Sequence, residues 1–257
     1  MLRKIKKLFA KPTSATNFDA PIAIGRPTYA IGDIHGRHDL LMRLLPMIEA
    51  DADEAALENP RVVFLGDYVD RGEQSREVLE ALTAMKAEVG ENIVFLKGNH
   101  EAMMLEFLAA PEDAAAIWLR NGGLQTLMSF GIGGVTPSTR GEEAIAARDK
   151  LRDEIGDSLG FLQSLDLTFR DGGVAFTHAG ADPTLPLDMQ RESNLLWGAR
   201  DFLTTPRADG LWVVHGHIVE DEPYARDGRV AVDTGACFTG RLTAARIWDG
   251  EVVFLTT

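Results

Sequence analysis

The sequence reads as an α/β protein with a helical insertion. Three observations carry that reading. Apolar, β-rich runs alternate with helical periodicities between Tyr29 and Leu96, the pattern of parallel βαβ units. Alanine-rich, mostly helical sequence fills residues 102–170. Short β-rich runs then return and continue to the C-terminus.

The elements follow in order. Thr28–Gly32 reads as a short buried strand, and Leu40–Ile48 has helical periodicity. Arg61–Leu65 is β-rich and stops at Gly66. Arg76–Val89 is helical, with Val78, Leu79, Leu82 and Met85 on one side. Asn92–Leu96 is a third strand ending at Gly98. The insertion is broken at Asn121-Gly122-Gly123 and at the Gly131–Gly141 loop. Asp166–Arg170 and Val174–Thr177 suggest a hairpin around Asp171-Gly172-Gly173. Leu211–Val214, Arg229–Val232, Arg241–Ile247 and Val252–Leu255 are further strands, the last two joined by an Asp249-Gly250 turn. No internal repeat or low-complexity segment interrupts this order.

Composition narrows the function classes. The 257 residues include 39 Asp+Glu against 26 Lys+Arg, a formal charge of −13. An acidic surface is a poor grip on nucleic acid, whose phosphates need positive charge. Residues 1–11 run the other way, with Arg3, Lys4, Lys6, Lys7 and Lys11 and no acid; the remainder carries −18. Leu2, Ile5, Leu8 and Phe9 recur there at helical spacing. A secretory signal would need an apolar core of ~7–15 residues, which is missing. The stretch reads as a solvated tail, since termini are commonly disordered. A peripheral contact with anionic lipid or an acidic partner is the second reading. Residues 12–27, with their prolines, read as a linker to a single domain over 28–257. The one cysteine, Cys237, excludes an internal disulfide and fits a reducing, cytoplasmic setting. No apolar run approaches the ~20 residues of a membrane span.

Three short motifs follow the first three strands: Gly32-Asp33-Ile34-His35-Gly36, Gly66-Asp67-Tyr68-Val69-Asp70-Arg71-Gly72 and Gly98-Asn99-His100-Glu101. Asp33 and Asp67 are 34 residues apart, and Asp67 and Asn99 are 32 apart. A βαβ unit takes roughly 30 residues. Successive units therefore bring Asp33, His35, Asp67, Asp70, Arg71, Asn99 and His100 to one sheet edge, where open α/β sheets bind ligands. His178 ends a later strand, and His215 and His217 end another. Carboxylate, imidazole and amide donors without thiolate suit Mn, Fe or Zn.

These motifs, with His-Ala-Gly at 178, Gly-His at 216 and Asp-Thr-Gly-Ala at 233, resemble the phosphoprotein phosphatases of the calcineurin-like metallophosphoesterase superfamily, bacterial and phage lambda phosphatase type. The resemblance runs from about residue 28 to the C-terminus. It implies two mixed β-sheets forming a central sandwich flanked by helices, in four αββα layers, and two divalent metal ions, Mn2+ first. It implies that Asp33 and His35 hold the first metal, that Asp67 bridges both, and that Asn99, His178 and His217 complete the second. His100 would be the general acid, oriented by Asp70, with Arg71 on the phosphoryl oxygens and Asn99 also beside them. A hydroxide bridging the two metals would attack phosphorus directly, so no phosphoenzyme forms.

The implied activity is hydrolysis of phosphoserine and phosphothreonine in proteins. Hydrolysis of dinucleoside polyphosphates or small phosphate esters is one alternative, and an inactive phosphoprotein-binding scaffold is another. His215 stays open as a ligand or as a residue behind the ligands. Arg200 is the candidate second phosphate-binding arginine, against a surface arginine that merely follows Leu195-Leu196-Trp197. Lys97 could attract phosphate as a point charge. Asn121-Gly122-Gly123 is either a loop at the site or a helix stop. His38 reads as a helix-start surface residue and Cys237 as a small buried one.

Overall fold

A computed structural model describes residues 18–257; the basic stretch 1–11, with both of its readings, lies outside the described residues. Among the described residues ten strands form: β1 (Thr28–Ile31), β2 (Arg61–Phe64), β3 (Ile93–Phe95), β4 (Thr168–Asp171), β5 (Val174–Thr177), β6 (Trp212–His215), β7 (Tyr224–Arg226), β8 (Arg229–Ala231), β9 (Thr243–Trp248) and β10 (Glu251–Thr256). They make two mixed five-stranded sheets, ordered β10-β9-β1-β2-β3 and β4-β5-β6-β8-β7. In the first, β1, β2 and β3 are parallel, and β9 and β10 add antiparallel. In the second, β5, β6 and β8 are parallel, with β4 and β7 antiparallel at the edges.

The two sheets pack face to face, and side-chain alternation divides the core. Ala30, Val63, Leu65 and Leu96 face Val174, Phe176, Val214 and Val230 between the sheets. Tyr29, Ile31 and Phe64 point the other way, into a cluster with the helices. Both faces of β1 are thus covered, which is why all four of its residues are buried. Helices α1 (His38–Glu54) and α2 (Ser75–Val89) cross between the parallel strands and bury Leu40, Leu41, Leu44, Val78, Leu79 and Leu82.

The insertion supplies α3 (Asn99–Ala109), α4 (Pro111–Trp118), α5 (Gly123–Ser129), α6 (Gly141–Glu154) and α7 (Ser158–Gln163). Its Phe107, Trp118, Leu127 and Phe161 join the helix-side core. Pro111 opens α4 at a position where its missing N–H costs nothing.

Three features differ from the sequence-based expectation. Residues 18–27 do not span open space as a linker. The Ala23 carbonyl accepts the Gly173 N–H at 2.9 Å, the Ala20 carbonyl accepts Trp212 Nε1–H at 2.9 Å, and Ile22 is buried between the sheets. Strand β7 went unpredicted because it is a short polar edge strand without alternation. Two short helices also lacked a periodic signal, α8 (Glu192–Trp197) and α9 (Ala236–Thr239). Among the described residues, no helix is long and apolar enough to cross a membrane.

Candidate active site

Six parallel strands, three from each sheet, end around one cluster. Asp33 follows β1, Asp67 follows β2 and Asn99 follows β3; His178 follows β5, His217 follows β6 and Asp233 follows β8. Asp67 is central. Its Oδ2 lies 3.4 Å from His35 Nε2 and 3.9 Å from His100 Nε2, and its Oδ1 lies 3.4 Å from His178 Nε2. The ligand atoms of His35, Asp67 and His100 fall within 4.8 Å of one another, as do those of Asp67, His178 and His217. Asp67 is thus common to two groups. Asp33 accepts the His217 backbone N–H at 3.1 and 3.2 Å, and the Asn99 amide sits 3.0 Å from His178 Nε2.

The donor set fits divalent cations. His35 Nδ1–H donates to the Val69 carbonyl at 2.9 Å, and His178 Nδ1–H donates to the Leu65 carbonyl at 3.0 Å. Each bond fixes the tautomer that leaves an Nε2 lone pair facing Asp67. Burial pushes His35 down to about 3 and His178 down to about 4, so both imidazoles are neutral, as metal ligands must be. Asp33 is pushed well above the usual carboxylate range, by burial first and then by the charges of Asp233 and Asp67. Burial also pushes Asp233 up to about 6. Such crowding of buried carboxyl groups is what a bound cation relieves.

Backbone strain concentrates here. Nine non-glycine residues among those described have positive φ, and five of them are His35, Asp67, Asp70, Arg71 and His217. Such conformations each cost of order 1–3 kcal/mol and persist where the surroundings hold them. Glu101 is one such support. Its buried carboxylate accepts backbone N–H groups from Asp67, Tyr68, Val69 and Gly98 at 2.7–3.3 Å, tying the second motif to the third. Burial and then Asp67 push it up to about 7 against the pull of these donors. Gly216 is another, because a Cβ there would collide with Asp33 Oδ1.

A second constellation adjoins the first. His100 Nδ1–H donates to Asp70 Oδ2 at 2.7 Å, and both residues are fully buried. Burial opposes charge on His100, but the Asp67 and Asp70 carboxylates outweigh it and hold the imidazole above its usual range. Arg71 is exposed, donates to His35 Nε2 at 2.9 Å and lies 5.7 Å from the Phe238 ring centroid. Two clefts of about 470 and 460 Å³ meet at Arg71, one bordered by Gln74 and Cys237, the other by Leu119, Gly122 and Phe238.

The remaining sequence candidates sort as follows. His215 turns away from the cluster: its ring packs edge-on against Phe202 at 4.9 Å, and Nδ1–H donates to the Gly216 carbonyl at 3.0 Å. Arg200 is exposed beyond α8 and makes no hydrogen bond or ion pair to the cluster among the described residues. Lys97 is half-buried, with its backbone N–H donating to the Asp166 carbonyl. Both readings of Asn121-Gly122-Gly123 hold. The Asn121 amide caps Ile117 at 2.9 Å, while the Gly122 carbonyl accepts the Arg71 N–H at 3.4 Å. His38 begins α1. Cys237 is half-buried at a cleft wall rather than fully enclosed. Residues overlooked in the sequence are Asp233 and Glu101, which lie in motifs but drew no role, and Trp118 and Thr126, which donate to Asp70.

Residues 26–221 match the calcineurin-like phosphoesterase family. The chain belongs to that family. Members use a dinuclear divalent metal centre, and the residues to bind one are present. The chain is 36% identical over 97 residues to the serine/threonine-protein phosphatase BSL2 of Arabidopsis thaliana; the match covers 38% of this chain and 9% of that longer protein. It is 26% identical over 241 residues to the bis(5'-nucleosyl)-tetraphosphatase PrpE [asymmetrical] of Halalkalibacterium halodurans, covering 87% of this chain and 91% of that one. The fold superposes on a cold-active protein-tyrosine phosphatase of a Shewanella species with a TM-score of 0.56, at 18% identity, over 92% of this chain and 82% of that one.

Proposed function

We propose that this phosphoesterase is a metal-dependent phosphomonoesterase acting on phosphoserine and phosphothreonine in proteins, with residues 28–257 as its catalytic domain. The reading rests on the buried His100–Asp70 pair beside Asp67, with Arg71 exposed next to it. Asp33, His35 and Asp67 would hold one divalent cation and Asp67, Asn99, His178 and His217 the other; such ions supply charge neutralisation and an acidified water. Mn2+ suits the mixed oxygen and nitrogen donors, as do Fe and Zn.

The chain's own groups do the rest. The Arg71 guanidinium offers a planar fork to two phosphoryl oxygens. His100 carries a proton on Nε2, the nitrogen facing Asp67, and gives it to the departing oxygen. Asp70 keeps that ring oriented and favours its charge. No nucleophilic side chain is required. Cys237 is unsuited to that role, since burial pushes its thiol up.

The pair also bears on substrate class. A serine or threonine ester must expel a strongly basic alkoxide, so a buried, charged acid matters most there. A dinucleoside polyphosphate expels a stabilised phosphate anion and needs such an acid less. Hydrolysis of dinucleoside tetraphosphates is the second reading, favoured by the likeness to PrpE along 87% of the chain. The deciding test compares turnover of a phosphoserine peptide and of diadenosine tetraphosphate by the full chain with added Mn2+. Preference for the peptide supports the proposal; preference for the dinucleotide overturns it. Binding of the peptide with no turnover of any ester would assign a scaffold role instead.

A further inference from the structure

Two side chains of the helical insertion converge on the carboxylate of Asp70. Trp118, the last residue of α4, donates its Nε1–H to Asp70 Oδ1 and Oδ2 at 3.1 and 3.0 Å. Thr126, in α5, donates its hydroxyl to Asp70 Oδ1 at 2.6 Å and accepts the Asp70 backbone N–H at 2.9 Å. That reciprocal pair clamps backbone and side chain together at a residue with a φ of 71°. All three residues are fully buried. Only Asp70 Oδ2 is shared with His100, at 2.7 Å.

The rest of the segment supports this clamp. Trp118 packs on Phe107 at 4.6 Å, and Phe107 lies in α3, the helix that carries His100. Gly122 lies between the two donors in a left-handed conformation with a φ of 112°. A Cβ there would come within 2.5 Å of the Arg71 nitrogen, so the turn lies against Asp70 and Arg71. A carboxylate fixed by an indole and a hydroxyl cannot rotate about its own bond. Its remaining lone pair then stays on His100 Nδ1, and His100 Nε2 stays on the side of Asp67.

We infer that Trp118 and Thr126 are positioning residues for proton donation: they act through Asp70 on His100, and the insertion forms the back wall of the acid site. The inference rests on the general-acid reading of His100 given above. It predicts a loss confined to substrates that need the proton. A packing role predicts equal losses for every substrate.

The test uses the Mn2+-loaded full chain with Thr126→Val, Thr126→Ser and Trp118→Phe, alone and combined with His100→Asn. Turnover is read with a phosphoserine peptide, whose alkoxide needs a proton, and with p-nitrophenyl phosphate, whose phenolate leaves as a stable anion. Thr126→Val and Trp118→Phe should each slow the peptide by about 10-fold or more while changing p-nitrophenyl phosphate less than about threefold, a part of the 10²–10⁴ that acid catalysis supplies. Thr126→Ser keeps the hydroxyl and should restore peptide turnover. In the His100→Asn background neither substitution should add a further loss, because the groups act as one unit. Thermal melting and metal content show whether each variant is folded; if Thr126→Val is not, Trp118→Phe carries the same test. Equal losses on both esters, or additive losses with His100→Asn, overturn the positioning role while leaving the acid in place. If His100→Asn itself slows both esters equally, the acid assignment is what fails.

Discussion

The two sheets deliver three parallel strands each to one site, yet they do so differently. The first sheet ends in the carboxylates of Asp33 and Asp67, the His35 imidazole, the Asn99 amide and the His100–Asp70 pair, and its loops are stitched to one another. The N–H groups of Ile34 and His35 both donate to the Asp67 carbonyl, and Glu101 binds the backbone of two motifs. The second sheet ends in two imidazoles and Asp233, and is joined across the gap by fewer bonds, chiefly from His217 N–H to Asp33 and from His178 Nδ1–H to the Leu65 carbonyl. On the proposed reading the first sheet would hold the proton and the phosphate, while the second would complete the cation site.

That contrast can be broken in graded steps. The largest effect comes from removing what both sheets hold in common. Dialysis against a chelator should abolish phosphopeptide turnover, and Mn2+ should restore it; full activity in chelated, metal-free protein would contradict a metal-dependent reaction. Next is a change confined to the first sheet's chemistry. His100→Asn should cost about 10²–10⁴-fold in kcat on a phosphoserine peptide with bound manganese unchanged. Asp233→Asn, at the end of β8, is smaller. Asp233 is buried and its charge acts on Asp33, so its loss should weaken metal binding about 10–100-fold, read as the Mn2+ concentration for half-maximal activity. The smallest change is Arg200→Ala. An exposed arginine without partners in the cluster should leave kcat/KM within about twofold, the range of an ordinary surface substitution.

The same contrast explains what the sequence displayed. Asp33, Asp67 and Asn99 stand out because consecutive βαβ units repeat at about 30 residues and each ends in a loop with a tell-tale side chain. The second sheet has no such rhythm. Its parallel strands β5, β6 and β8 are separated by unequal loops, so His178 and His217 were found by residue type and resemblance rather than by spacing. Asp233 lies in the Asp-Thr-Gly-Ala motif, but nothing in its neighbours indicates that β8 lies beside β6. Trp118 and Thr126 were hidden for another reason. On helices, an indole and a threonine look like ordinary core, and only the fold shows that both aim at Asp70. Their separation across Asn121-Gly122-Gly123 was the available signal, since a turn read as a helix stop also brings flanking side chains together.

On this reading the two sheets share a dinuclear site through Asp67, and bound manganese measures that sharing. The wild-type chain should hold two Mn2+ per molecule, and His178→Ala, which removes a ligand supplied only by the second sheet, should hold one while the His100–Asp70 side stays intact. A wild-type stoichiometry of one, or an unchanged two in His178→Ala, would contradict it.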